Sequence, residues 1–179
     1  MDVVGLIEGD PGAMSVLRAA ARLGLADWWV GAGFVRNRVW DALCSVPAAP
    51  ERDVDLVYFD PADPDPAGDE RAEARAGLLL PGVPWEIRNQ ARMHLRNGDE
   101  PYSSSLDAIS RWPETATCVA VTLRGGFVHL ASGHGLDDLL EMVVRPSPAF
   151  DNPAGRAKVR GRVRAKGWLD RWPGLRLEV

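Results

Sequence analysis

Two aspartates two residues apart, Asp53 and Asp55, open the apolar run Leu56–Phe59. Turn residues bound this run on both sides, so the pattern predicts a β-strand. Because alternate strand residues face the same side of a sheet, the two carboxylates are expected to project together. They repel each other there, and a divalent cation such as Mg²⁺, which prefers oxygen ligands, would remove the repulsion. An isolated Asp-x-Asp pair is also common at a solvated strand end, so this interpretation needs support from other residues.

A glycine-containing turn precedes the aspartates, between a short apolar strand and a predicted helix. The turn consists of Gly31, Ala32 and Gly33. Glycines at such a junction let backbone N–H groups approach a phosphate at the positive end of the following helix, although an ordinary tight turn has the same pattern. Arg36 and Asn37 fall in the first turn of that helix. Arg36 is predicted either to bind phosphates bidentately or, equally well, to pair with Asp41 or with acids of the Pro/Asp-rich linker.

A third acid follows in the next predicted strand, where Glu86 lies between two apolar residues. The alternative for Glu86 is an exposed position on an edge strand. The segment after it, residues 89–97, predicts a helix with Gly98 beyond its end, and this helix is too polar for a pure core element. Asn89 and Arg92 in this segment are therefore predicted to contact a substrate.

The elements around these residues predict an α/β (α+β) fold with a mixed sheet flanked by helices. The Pro/Asp-rich stretch 61–69 is predicted as a linker leading into a helix. Ser103 or Ser104 is the candidate cap of a later helix. Further on, residues 115–132 predict a β-hairpin around a Gly-Gly turn. Asn152 and Pro153 predict the start of a basic helix, although its charges alternate every second residue, as they also would in a strand.

The chain has 179 residues, 46% of them hydrophobic, which is enough for one domain with a buried core. We expect the core that carries the candidate residues to span about residues 12–97, with residues 98–179 completing the sheet and adding a pocket. The net charge is −4, but the segment from Pro153 onward carries eight Lys/Arg against two acids. This basic segment either contacts phosphates or is a solvated helix face docked on the acidic remainder. Two isolated cysteines, no signal-peptide pattern and no membrane-length apolar run predict a cytoplasmic protein without a membrane partner.

The order of glycine-rich turn, Asp-x-Asp strand and acid on a neighbouring strand resembles the polymerase β-like nucleotidyltransferase superfamily. Longer stretches, such as GAGFVRNRVWDAL and DVDLVYFD, are similar to a little-characterised bacterial branch described as nucleotidyltransferase family proteins. The resemblance covers roughly residues 15–175. The turn departs from the superfamily's usual Gly-Gly or Gly-Ser by placing Ala32 between two glycines.

The resemblance implies a metal-dependent enzyme that moves NMP from an NTP to an acceptor hydroxyl. Asp53, Asp55 and Glu86 would then be the catalytic and metal-binding residues, with Mg²⁺ or alternatively Mn²⁺ as the ion. Glu86 would complete the second metal position or take the proton. The nucleotide-binding residues would be Gly31, Ala32, Gly33, Arg36, Asn37, Asn89 and Arg92. The acceptor is left open between a small molecule, a protein and an RNA end.

Two other functional classes fit parts of the pattern. A catalytically silent nucleotide-binding or interaction module would keep the fold, but such a module gains nothing from three clustered acids. An Asp-x-Asp phosphatase or glycosyltransferase is the other class. The phosphatase signature normally continues with Gly-Thr or Gly-Val, whereas Leu56 and Val57 follow here.

Overall fold

The main β-sheet has five strands. The computed structural model describes all residues from Met1 to Val179. The strands are β1 (Trp29–Gly31), β2 (Val54–Tyr58), β3 (Trp85–Asn89), β4 (Val119–Arg124) and β5 (Phe127–Ser132). Their order is β3-β2-β1-β4-β5, with β2 and β3 parallel and all other neighbours antiparallel. The predicted mixed sheet and the predicted hairpin, β4–β5, are therefore confirmed.

Helices precede the first strand, connect later strands and follow the last strand of this sheet. They are α1 (Val3–Glu8), α2 (Pro11–Ala21), α3 (Gly33–Cys44), α4 (Pro66–Leu79), α5 (Met93–Asn97), α6 (Ser105–Ser110), α7 (Asp137–Leu140), α8 (Pro153–Ala165) and α9 (Trp168–Arg171). A second, two-stranded sheet pairs β6 (Val143–Val144) in parallel with β7 (Arg176–Leu177). None of the helices combines the length and the hydropathy needed to cross a membrane.

The two faces of β2 have different surroundings. Val54, Leu56 and Tyr58 belong to the main hydrophobic core, which also includes residues of α1, α2, α3 and α4. The intervening residues Asp55 and Val57 point to the opposite face, because strand side chains alternate. Val57 joins a second, small apolar cluster there. This second face is open enough to leave the cleft described below.

The basic helix α8 begins where the sequence predicts. The Asn152 side chain accepts a hydrogen bond from the Gly155 amide at 2.9 Å, and Pro153 occupies the first turn. Ser104 likewise caps α6 by accepting from the Asp107 amide. Side-chain caps of this kind satisfy backbone donors that have no partner within the helix.

Two predicted boundaries are wrong. Helix α4 begins at Pro66, inside the stretch predicted as a linker, because Asp65 caps it and proline fits the first turn. The helix predicted over residues 89–97 is confined to Met93–Asn97, because Asn89 still belongs to β3 and pairs with β2. A helix cap thus decides the first boundary and strand pairing decides the second.

Candidate active site

The glycine-containing turn joins the end of β1 to the start of α3. A Cβ atom at Gly31 would lie 2.9 Å from both the Trp112 ring and the Val119 carbonyl oxygen, so packing requires glycine there. Ala32 has φ 53° and ψ −122°, a conformation that costs energy for a residue with a Cβ. Its amide donates to the Val119 carbonyl at 3.1 Å. That amide is therefore already bonded and not free to bind a phosphate.

The three predicted acids lie around one point of the open sheet face. In the parallel β2–β3 register Asp55 is directly opposite Glu86. Asp53 and Asp55 line a small cavity of about 170 Å³, and Asp55 and Glu86 line a large cleft of about 740 Å³. The small cavity and the large cleft share Ala32, Asp55 and Arg162 in their walls. Asp55 therefore lies at the junction of the two spaces.

The electrostatics of Asp55 reflect these neighbours. Its pKa is raised to about 6, first by burial and then by the negative charges of Asp53 and Glu86, while Lys166 and Arg36 act in the opposite direction. None of the ion pairs in the protein involves any of the three acids. The site thus keeps a concentration of negative charge without a permanent partner.

The donor set suits a hard divalent cation in part. Asp53 and Asp55 offer carboxylate oxygens, which Mg²⁺ prefers, and an ion between them would offset the repulsion that raises the pKa of Asp55. No group of three or more His, Cys, Asp or Glu side chains is arranged closely enough to surround an ion. Two carboxylates fit the usual protein share of a Mg²⁺ site, in which water and substrate phosphates supply the other ligands. Glu86 is exposed, and its place as a third ligand stays a prediction.

Arg36 lies in the first turn of α3 and is only 4% exposed. Its guanidinium stacks on the Trp168 ring at 4.1 Å and donates to Thr117 Oγ1 and to Asn37 Oδ1, both at 2.9 Å. Its Nε is buried without a hydrogen-bond partner, and burial lowers the pKa of the side chain to about 10. Both Arg36 and Asn37 line the small cavity. The alternative partner, Asp41, is bound instead by Arg171 and by the Trp172 indole, so that alternative is wrong.

Asn89 and Arg92 do not lie with the other predicted nucleotide-binding residues, and neither lines the small cavity or the large cleft. The side-chain amide of Asn89 is hydrogen-bonded to loop backbone. Its Nδ2 donates to the carbonyls of Asp60 and Asp63, and its Oδ1 accepts from the Asp60 backbone amide. Arg92 pairs with the buried carboxylate of Asp69. Their contacts support the fold, so we leave both out of the proposed nucleotide site.

Helix α8 contributes residues to the site that the sequence did not single out. Its alternating cations separate into two stripes, because residues four apart share a helix face. One stripe lines the small cavity or the large cleft, is called the cleft-facing stripe below, and comprises Lys158, Arg162 and Lys166. The other stripe is solvent-exposed and lines neither space, and it comprises Arg156, Arg160 and Arg164. The four-residue spacing was a usable signal, but only once the segment is known to be helical.

Arg162 is the fixed member of the cleft-facing stripe. Its Nε donates at 2.7 Å to Glu114, a carboxylate with no exposed surface. This ion pair connects α8 to the segment that leads into β4. Arg162 is thereby held at the junction of the small cavity and the large cleft, beside Asp55.

Comparison with solved structures identifies the fold. One similar structure was solved by NMR and is described as revealing a CCA-adding enzyme head domain. It has 32% sequence identity and a TM-score of 0.85, over 98% of this chain and 94% of that chain. The Thermotoga maritima CCA-adding enzyme complexed with tRNA has 19% identity and a TM-score of 0.60, and a CCA-adding enzyme complex with ATP has 19% and 0.57. This chain spans 43% and 42% of those two chains, so these two likenesses concern the fold alone.

Sequence comparison agrees with the structural one. No curated protein matches this sequence. A family model described as Nucleotidyltransferase matches residues 18–177, which include the turn, all three acids and the cleft-facing stripe of α8. That match covers most of the chain, and the 32% identical structure covers nearly all of it. The chain therefore belongs to the nucleotidyltransferase family.

Proposed function

We propose that this protein transfers a nucleoside monophosphate from an NTP to an acceptor hydroxyl in a reaction that depends on Mg²⁺. The observation that carries the proposal is the unpaired acid group, Asp53, Asp55 and Glu86, at the junction of the small cavity and the large cleft. An acid cluster that raises the pKa of its own member is costly in a metal-free protein. The cation of a bound triphosphate would offset the repulsion among these acids.

The residues proposed to hold the ion are Asp53 and Asp55, with triphosphate oxygens and water as the remaining ligands. The ion would neutralise charge on the phosphates and lower the pKa of the attacking hydroxyl. We propose Mg²⁺ and keep Mn²⁺ as the alternative. We propose that Glu86, which is exposed and lines the large cleft, accepts the proton of the acceptor hydroxyl.

The two spaces suit different parts of the reactants. The large cleft, at about 740 Å³, is in the range of small-molecule sites and has room for a nucleoside and an acceptor end. The small cavity, at about 170 Å³, has room for terminal phosphates but not for a nucleoside as well. The α-phosphorus would lie at the junction. There the acceptor oxygen bonds to it, its bond to the bridging oxygen breaks, and pyrophosphate leaves.

An RNA end is the acceptor that we propose among the three classes. Two structures that share this fold were solved with tRNA and with ATP, which makes that pair of reactants the first to test. The cleft-facing cations of α8 agree with an acceptor that carries phosphates. A small molecule and a protein are the other outcomes of the acceptor experiment.

The binding experiment is calorimetric titration of ATP, GTP, CTP and UTP, each with and without Mg²⁺. It compares the natural protein with Asp53→Asn/Asp55→Asn and with a control, Glu70→Gln/Asp137→Asn, which removes two exposed acids that line neither space. We expect metal-dependent binding in the natural protein and the control, and its loss in the double variant. Metal-independent binding shared by all three proteins would instead identify a silent nucleotide-binding module. No binding by the natural protein would contradict the proposal.

The transfer experiment uses the NTP that binds best, labelled at its α-phosphate. Incorporation of label is measured into an RNA with a free 3′ hydroxyl and into the same RNA after periodate oxidation of that end. Label on the first RNA alone is the expected result. Label on neither RNA, with binding intact, would reject RNA as the acceptor.

A further inference from the structure

Most of the charged side chains that line the small cavity already have partners. Arg38 pairs with Asp10 and Glu51, and Arg171 pairs with Asp41. Arg162 pairs with a buried glutamate outside the cavity. These paired groups shape the wall, but their charge is already balanced.

The remaining charged groups in this wall have no ion-pair partner. They are the carboxylates of Asp53 and Asp55 and the cations Arg36, Arg52 and Lys166. None of these cations forms an ion pair with either carboxylate. A ligand that carries both a metal ion and a surplus of negative charge would satisfy both sets, and a metal-bound polyphosphate has that combination.

Arg36 supplies a second, independent sign of a missing ligand. Its Nε is buried, has no hydrogen-bond partner, and belongs to a side chain that is 4% exposed and lines the small cavity. A buried donor without a partner is unusual in a folded protein, because its desolvation is not compensated. The small cavity is therefore a built site rather than a gap between surface charges.

The backbone that carries Lys166 is held firmly, although its side chain is free. Lys166 is the C-terminal cap of α8, and α9 follows directly. Trp168 and Trp172 pack edge-on against the Trp40 ring, with centroids 5.6 and 5.0 Å away. An ammonium on a flexible stem at a fixed point can adjust to a phosphate that arrives in the small cavity.

Resting on the proposed nucleotidyl transfer, we propose that Lys166 binds the terminal phosphates of the NTP, so that α8 forms one wall of the pyrophosphate-leaving pocket. The positions of the three acids indicate which of the two spaces receives the terminal phosphates. Asp53 lines only the small cavity, Glu86 lines only the large cleft, and Asp55 lines both. The small cavity thus has unpaired cations that can bind the terminal phosphates, and it has too little room for a nucleoside.

The test is a comparison of two substitutions that remove the same charge from the last turns of α8. Lys166→Gln acts in the cleft-facing stripe, and Arg164→Gln, the matched control, acts in the exposed stripe. Inorganic tripolyphosphate with Mg²⁺ is the first probe, and the best-binding NTP is the second. Circular dichroism checks that both variants fold, which their exposure favours.

We expect Lys166→Gln to weaken both probes by about tenfold, the usual effect of losing one charge-assisted hydrogen bond, and Arg164→Gln to change them less than about twofold. Equal binding by the natural protein and Lys166→Gln would overturn the inference while leaving the proposed function intact. Equal losses in both variants would also overturn it, because they would indicate a general field of the helix. Failure of the natural protein to bind either probe would overturn the inference and the proposed function together.

Discussion

Two groups of acids flank the same pair of parallel strands, β2 and β3, and are treated in opposite ways. On the open face, Asp53, Asp55 and Glu86 have no ion-pair partner. Burial, together with the negative charges of Asp53 and Glu86, raises the pKa of Asp55. On the helical side, Asp69 and Glu73 of α4 are fully engaged.

The engaged group is dense in contacts. Asp69 is 3% exposed, pairs with Arg92, and accepts from the Tyr58 hydroxyl at 2.9 Å and the Asn89 amide at 3.0 Å. Glu73 pairs with an arginine of β3 and accepts from the Ile87 amide at 2.9 Å. The difference teaches that charge in this fold stabilises where it is paired and is left unbalanced where a ligand is proposed to bind.

The largest effect that tests this comparison is expected at Asp69. Asp69→Ala would leave Arg92, the Tyr58 hydroxyl and the Asn89 amide without their shared acceptor. Because removing one member of a buried ion pair is costly, we expect a loss of about 3 kcal/mol in the free energy of unfolding. Urea denaturation measures it, with Glu70→Ala on the exposed side of α4 as the control. A loss below about 1 kcal/mol would remove the contrast between the two groups.

Asp55 should respond with the opposite sign. Its pKa in the folded protein is about 6, above the ordinary value of 3.8, so ionisation of Asp55 destabilises the metal-free fold. Stability should therefore fall as the pH rises from about 4 to about 6. Asp55→Asn removes this penalty, and we expect about 2 kcal/mol of added stability at pH 8, with metal-dependent NTP binding lost.

The pH series supplies the check on Asp55. The gain from Asp55→Asn should nearly vanish at about pH 4, where the carboxyl of the folded protein is already protonated and that of the unfolded chain, with its ordinary pKa of 3.8, is only about half ionised. Thermal melts of the natural protein and the variant at pH 4, 6 and 8, without metal, measure it. A variant that is less stable than the natural protein at pH 8 would contradict the assignment of Asp55 as an unbalanced charge.

The smallest effect is expected at Glu73. Glu73→Gln keeps an oxygen for the Ile87 amide but removes the charge that faces Arg88. Both side chains of this ion pair are about one-third exposed, so we expect a loss of only about 0.5 kcal/mol in the free energy of unfolding. Urea denaturation at two salt concentrations measures it, and the loss should shrink at high salt. A loss as large as that of Asp69→Ala would mean that burial does not determine how much each ion pair contributes to the free energy of unfolding.

Local patterns in the sequence carry much of the fold and part of the site. The apolar run bounded by turn residues correctly predicts a buried strand, although Asp53 lies just before it, and the Asn152–Pro153 pair correctly predicts the start of α8. The sheet also places Asp55 opposite Glu86, two residues that the sequence separates by a helix and a loop. The strand and the helix start depend on short-range patterns and caps, whereas the Asp55–Glu86 register depends on the parallel pairing of β2 with β3.

What the sequence did not give depends on long-range packing. Polarity suggested that Asn89 and Arg92 contact a substrate, but a segment whose polar residues only stabilise a loop or a helix start has the same sequence pattern. Lys166 lies more than a hundred residues after the acids it faces, and only the docking of α8 and α9 against Trp40 brings it there. The alternating charges of that segment could not decide between strand and helix.

The carboxylates of α4 also bear on how this sheet meets other chains. β3 is an edge strand, and an uncovered edge exposes backbone amides that can pair with a strand of another molecule. The outward amides of Ile87 and Asn89 are already taken by Glu73 and Asp69. Helix α4 therefore closes this edge to strand addition, and it guards the acid-bearing side of the sheet against aggregation without covering the cleft.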